Sequence, residues 1–144
     1  MKVIITTNKF HSLVSKLSKE LIKLNFEVIL PLENKDVDIF EAGVEAANYI
    51  ISKKADRGII IDEYGSGGFM VASKVKGTIV AQLADEHSAH MTRGHNNTNI
   101  ITVGANLTAF EQLKKIIIKY LTADFEGGRH MVRIDMLDEM LRDE

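Results

Sequence analysis

Three stretches of this 144-residue chain carry side chains suited to chemistry. The first is Asp62-Glu63-Tyr64-Gly65-Ser66-Gly67-Gly68, directly after an apolar run. Glycines between a strand and a helix let backbone N–H groups approach an anion, with the helix N-terminus behind them. The spacing lacks both the GxGxxG fingerprint and the Gly-Lys-Ser/Thr ending, so dinucleotide and Walker loops are excluded. A tight turn with no ligand accounts for the same pattern. The second stretch is Arg93-Gly94-His95-Asn96-Asn97-Thr98-Asn99, polar residues ahead of a strand. His95 beside amides suits a general acid acting on a hydroxyl; the alternative is a solvated histidine in an Asn/Gly-rich turn. His87, His90 and His95 also raise a metal reading, but no carboxylate stands at a convincing spacing, so no metal is expected. The third stretch is Gly127-Gly128-Arg129-His130-Met131-Val132-Arg133. Arg129 and Arg133, four apart, fall on one helix face, where two guanidinium forks suit a phosphate or a carboxylate. A salt-bridged, solvated face is the rival.

These stretches need elements to hold them, and the pattern supplies five strands. Short apolar runs at 2–6, 26–30, 58–62, 78–84 and 99–103 read as strands. The third is apolar throughout and is expected to be covered on both faces. Between the strands, helical spacing appears from Ser12 onward, and after Asp38, which with Glu41 forms a helix start. Further helices are expected near 69–74, at about 85–92, from a Thr108/Glu111 capping box to about Thr122, and from about Arg129. Alternation of strand and helix means parallel pairing in an α/β three-layer sandwich. In such sheets ligands gather at the carboxyl ends of strands, and all three stretches are expected there. Ile134, Leu137, Met140 and Leu141 form an apolar stripe on the last helix, which either covers its own core or reaches a partner chain; the ending Arg142-Asp143-Glu144 does not decide.

Composition closes off other classes. Hydrophobic residues make up 45% and charged residues 26%, an ordinary globular mix, and the length suits one domain over residues 1–144. A net charge of −2 gives no electrostatic reason to expect nucleic-acid binding. Without cysteine the chain has no disulfide, no Cys-ligated zinc or iron–sulfur cluster and no thiol nucleophile. No apolar run approaches the roughly 20 residues that span a bilayer, and the start does not read as a signal peptide. A cytoplasmic protein with no membrane partner is expected.

Taken in order, several segments resemble the ribose-5-phosphate isomerase B / galactose-6-phosphate isomerase family. They are Gly65-Ser66-Gly67, Ala72-Ser73-Lys74-Val75-Lys76-Gly77, Asp85-Glu86-His87-Ser88-Ala89, Arg93-Gly94-His95-Asn96-Asn97, and Phe125-Glu126-Gly127-Gly128-Arg129-His130 with Arg133. Gly67-x-Phe69-Met70-Val71-Ala72, Met91-Thr92 before Arg93, and Arg133-Ile134-Asp135-Met136-Leu137 resemble the A-type subunits of its heteromeric galactose-6-phosphate enzymes. The resemblance implies a Rossmann-like fold of five parallel strands with a C-terminal helical arm, and sites shared across a dimer. It also implies a metal-free, cofactor-free interconversion of aldose and ketose phosphates, here D-galactose 6-phosphate and D-tagatose 6-phosphate, through an enediolate. By the same resemblance His95 opens the sugar ring, Asn96 contacts substrate, Arg129 and Arg133 hold the phosphate, and Gly65 and Gly67 face the enediolate oxygens. The departures lie on the base side. Asp62 stands where complete sites have a cysteine, Tyr64 for a threonine, Asn8-Lys9 for an Asp-His pair, and Asn106 for an arginine. A B-type subunit bringing the cysteine and the Asp-His pair is the implied partner, with a homodimer expected in isolation. Two alternatives remain. One is a self-sufficient homodimer using Asp62 or Glu63 as base, although an ordinary aspartate, near pKa 3.9, is a weak one. The other is a silent sugar-phosphate-binding subunit.

Overall fold

A computed structural model describes residues 1–140; Leu141 and the Arg142-Asp143-Glu144 ending lie outside the described residues. The elements run β1 (Lys2–Thr7), α1 (His11–Lys23), β2 (Glu27–Ile29), α2 (Ile39–Ile51), β3 (Arg57–Asp62), α3 (Ser66–Ala72), β4 (Val80–Leu83), α4 (Glu86–Asn96), β5 (Ile100–Gly104), α5 (Phe110–Thr122) and α6 (Arg129–Glu139). All strand pairs are parallel, in the order β2-β1-β3-β5-β4.

The central strand explains the layering. Ile59, Ile60 and Ile61 of β3 are fully buried although they alternate between faces, so both faces must be covered. On one side Ile59 and Ile61 join Val14, Leu17, Leu113 and Ile117 from α1 and α5; on the other Ile60 joins Ala46, Ala47 and Ala72 from α2 and α3. The result is the expected α/β/α sandwich.

Two local readings differ. Asp38 does cap α2, accepting from the Glu41 N–H at 2.8 Å. Thr108 does not cap α5: Ala109 holds that position without a side-chain bond. Phe110 packs on the core with the Lys16 ammonium 4.1 Å from its ring centroid, and this tertiary contact sets the helix start over the local preference. The polar stretch before β5, for which a turn was one reading, is helical in its first half: Arg93–Asn96 complete the last turn of α4 and Asn97, with φ 52°, ends it.

The arm is barely attached. Of α6 only Ile134 is buried, whereas Leu137 and Met140 of the expected apolar stripe are 49% and 74% exposed. Among the described elements its packing is mainly against α4.

Candidate active site

Chain direction decides where each candidate residue lies. The strands are parallel, so every crossover helix must run back from the carboxyl edge of the sheet to its amino edge. The loop after β3 therefore stands at the carboxyl edge, while the C-terminal turn of α4 and the connection after α5 stand at the amino edge. The expectation that all three stretches gather at carboxyl ends is corrected: only the Asp62–Gly68 stretch does. His95, Asn96, Arg129 and Arg133 belong to the opposite edge, about 17 Å away along β3 at roughly 3.3 Å per residue.

At the carboxyl edge, Asp62 ends β3 and is 2% exposed. One carboxylate oxygen accepts the Gly65 N–H and the other accepts the Gly68 N–H at 2.7 Å. Gly65 sits at φ +85°, a conformation that favours glycine, and a Cβ at Gly67 would come within 3.1 Å of the Asp62 carboxylate. The glycines thus let the loop fold around this aspartate. The Gly65 N–H, expected to face substrate oxygens, is given to Asp62 instead.

Beside this loop is the crevice between β1 and β3, where the chain order reverses. Asn8 Nδ2 donates to Glu63 Oε1 at 2.7 Å, and Lys9 Nζ lies 3.5 Å from the same oxygen. The Asn8 hydrogen bond, followed by the Lys9 charge, outweighs partial burial and holds the Glu63 carboxyl below its usual range. Glu63 is consequently a poorer proton acceptor. Asn8 Oδ1 is buried without a hydrogen-bond partner, and Tyr64 is 57% exposed.

At the amino edge, Glu126 N–H donates to the Gly94 carbonyl at 2.9 Å, fastening the 123–128 connection to α4. The His95 and His130 rings stack with centroids 4.4 Å apart at 11°. His95 Nε2 lies 3.8 Å from a Glu126 carboxylate oxygen. Burial, then the neighbouring His95 and Arg129, lower the His130 pKa against the pull of Glu126. Arg129 and Arg133 stand exposed one turn apart on α6, as their spacing predicted. Asn96 is exposed beside His95.

One atom each of His95, Glu126 and His130 lies within 4.8 Å of the others. This is not the His87/His90/His95 grouping weighed from the sequence. Nearly parallel stacked rings direct their in-plane lone pairs side by side rather than at one point, so this arrangement does not form a preset metal cradle. Glu126 and His130 were visible only as part of a motif. Their placement depends on a contact between Gly94 and Glu126, thirty-two positions apart, that no local periodicity encodes.

The arrangement is two incomplete halves. One edge offers an imidazole and two guanidiniums, fit to exchange a proton at a hydroxyl and hold an anion. The other offers a loop whose carboxylates are already engaged.

The family model described as Ribose/Galactose Isomerase matches residues 3–137. The galactose-6-phosphate isomerase subunit LacA of Streptococcus mutans is 46% identical over 116 residues, 81% of this chain and 82% of that one. Subunit LacA 2 of Streptococcus pyogenes is 40% identical over 141 residues, 97% of this chain and 99% of that one. Among solved structures, Clostridium thermocellum ribose-5-phosphate isomerase B superposes with a TM-score of 0.93 at 31% identity, covering 99% of both chains. Ribose-5-phosphate isomerase B of Mycoplasma genitalium, solved with ribulose-5-phosphate, gives a TM-score of 0.90 at 27% identity, covering 99% of this chain and 97% of that one.

Proposed function

Because this chain belongs to the ribose/galactose isomerase family, we propose that it is the A-type subunit of a galactose-6-phosphate isomerase, converting D-galactose 6-phosphate to D-tagatose 6-phosphate with a B-type subunit. The observation that carries this reading is the separation of the halves. His95, Arg129 and Arg133 share an edge whose nearest bases, His130 and Glu126, stack on or stand beside His95 itself, and the opposite edge has its carboxylates occupied. In this reading a second chain brings the deprotonating group to His95.

Arg129 and Arg133 hold the substrate phosphate by paired donors. His95 protonates the ring oxygen while the anomeric hydroxyl loses its proton, breaking the C1–O bond of the ring and leaving the open-chain aldehyde. Asn96 fixes a hydroxyl of that chain. The partner's base removes the proton on C2, the electron pair forms an enediolate, the proton on the C2 oxygen passes to the C1 oxygen, and the abstracted proton returned to C1 yields the ketose. Asp62 keeps its loop folded, and Gly65 and Gly67 shape it; the rival role, Asp62 as the base, requires freeing one of its two oxygens from the amide that oxygen holds. The chain alone forms a homodimer that binds sugar phosphate weakly.

The test is complementation. The purified chain should fold and show almost no isomerase activity, and adding the cysteine-bearing subunit should create activity that a Cys→Ala version of that subunit does not. Full activity from this chain alone, abolished by Asp62→Asn, would transfer the function to a self-sufficient homodimer.

A further inference from the structure

His95 and Arg93 are two residues apart on α4, hence about 200° apart around the helix, and Arg93 faces a different cavity. This cavity, about 410 Å³, lies between the C-terminal ends of α2 and α4, the start of β3 and the underside of α6; Lys53, Arg57, Arg93, Asn97 and Asp138 line it. Arg93 is 7% exposed. Its Nη1 donates to the Thr98 carbonyl at 3.0 Å, but its Nε is buried without a hydrogen-bond partner.

No carboxylate among the described residues forms an ion pair with Arg93 or Arg57. Asp56 borders the cavity, but its carboxylate accepts the Lys2 N–H at 2.7 Å. Asp138 of α6 is in no ion pair among the described residues. Burial, then the Arg57 charge, pull the Arg93 guanidinium below its ordinary pKa against the opposing pull of Tyr120 and Asp124. The lining carries three cations, Lys53, Arg57 and Arg93, against the two carboxylates of Asp56 and Asp138. A guanidinium does not escape by deprotonating. A buried cation in that position calls for an anion.

We propose that this cavity is an oxyanion site, taking inorganic phosphate or the phosphate end of a small monoester between Arg57 and Arg93, with Lys53 at the rim. It is separate from the Arg129/Arg133 pair, which stands exposed on α6 rather than lining the cavity. An occupant would sit under Ile134, the one buried side chain of α6, and so beside the attachment of the helix that carries both arginines.

Calorimetric titration of the full chain carrying Arg129→Ala and Arg133→Ala tests this, because that background lacks the other anion-binding pair. Inorganic phosphate should bind at one site per chain, and adding Arg57→Gln should weaken it by about tenfold or more. Glycerol 3-phosphate serves as the second arm: tighter binding than inorganic phosphate identifies a monoester as the natural occupant, and weaker binding identifies the free ion. Arg93→Lys keeps the charge but loses the fork, and should weaken binding while thermal melting confirms a folded chain. Absence of phosphate binding in the Arg129→Ala/Arg133→Ala chain, or binding indifferent to Arg57→Gln, overturns the proposal.

Discussion

Asp62 is the residue whose chemistry the structure most redefines. A carboxylate that accepts two backbone N–H groups inside the fold works as a fastener, and charge-assisted bonds of this kind contribute roughly 1.5–3 kcal/mol each. Asp62→Asn presents an amide N–H₂ to one of those donors, so the isolated chain should lose about 2 kcal/mol, read from denaturant unfolding. His95 answers to a different measurement. In the assembled enzyme His95→Asn should cripple turnover of the cyclic sugar far more than of an open-chain analogue, and equal losses would remove it from ring opening. His130 reports on the stack. Its pKa is lowered by burial first and by His95 second, so its NMR titration midpoint should lie below the ordinary histidine value and rise in His95→Asn. The sign for stability follows. The unfolded chain takes up this proton at a higher pH than the folded one, so His130 costs stability as pH falls from about 6.5 toward its folded value.

Among the elements, α6 has the weakest hold, with Ile134 its one buried side chain and the His95–His130 stack beside it. Ile134→Ala should therefore abolish hydrogen-exchange protection across α6 while leaving β1, β3 and β5 protected; uniform loss would mean the arm is part of the core. How far the elements were legible follows from the same physics. Strands β1, β3 and β5 are apolar runs because they are buried on both faces, and a run of isoleucines declares that without context. Asp38 was legible because its cap bond is local. The last turn of α4 was not, because Gly94 and Asn96 favour turns in isolation; here the Gly94 carbonyl takes the Glu126 N–H and Arg93 is buried beneath the helix. Thr108 failed for a like reason, with Phe110 fixed by tertiary packing. The edge on which His95 lies was recoverable, since residues directly ahead of a parallel strand must stand at its amino end. The Arg93 cavity was not, as its walls come from four separate elements and their connections.

At the scale of the whole molecule, the sheet spaces the His95 edge from the Asp62 edge, the two half-sites of the proposed function. Subunit LacA 2 of Streptococcus pyogenes and Clostridium thermocellum ribose-5-phosphate isomerase B match this chain nearly end to end. What that spacing leaves to heredity is an unequal freedom. In the mixed enzyme we propose, the His95 edge of this chain would meet the partner's base, whereas its own glycine loop would face a partner without needing to react. Saturation mutagenesis selected for growth on galactose 6-phosphate flux should tolerate exchanges at Tyr64 and Glu63 while rejecting them at His95, Arg129 and Arg133. Equal intolerance at both edges would mean that each end still earns its keep chemically. Otherwise the two edges of one sheet keep different clocks, one held still by catalysis and the other running at the pace that folding permits.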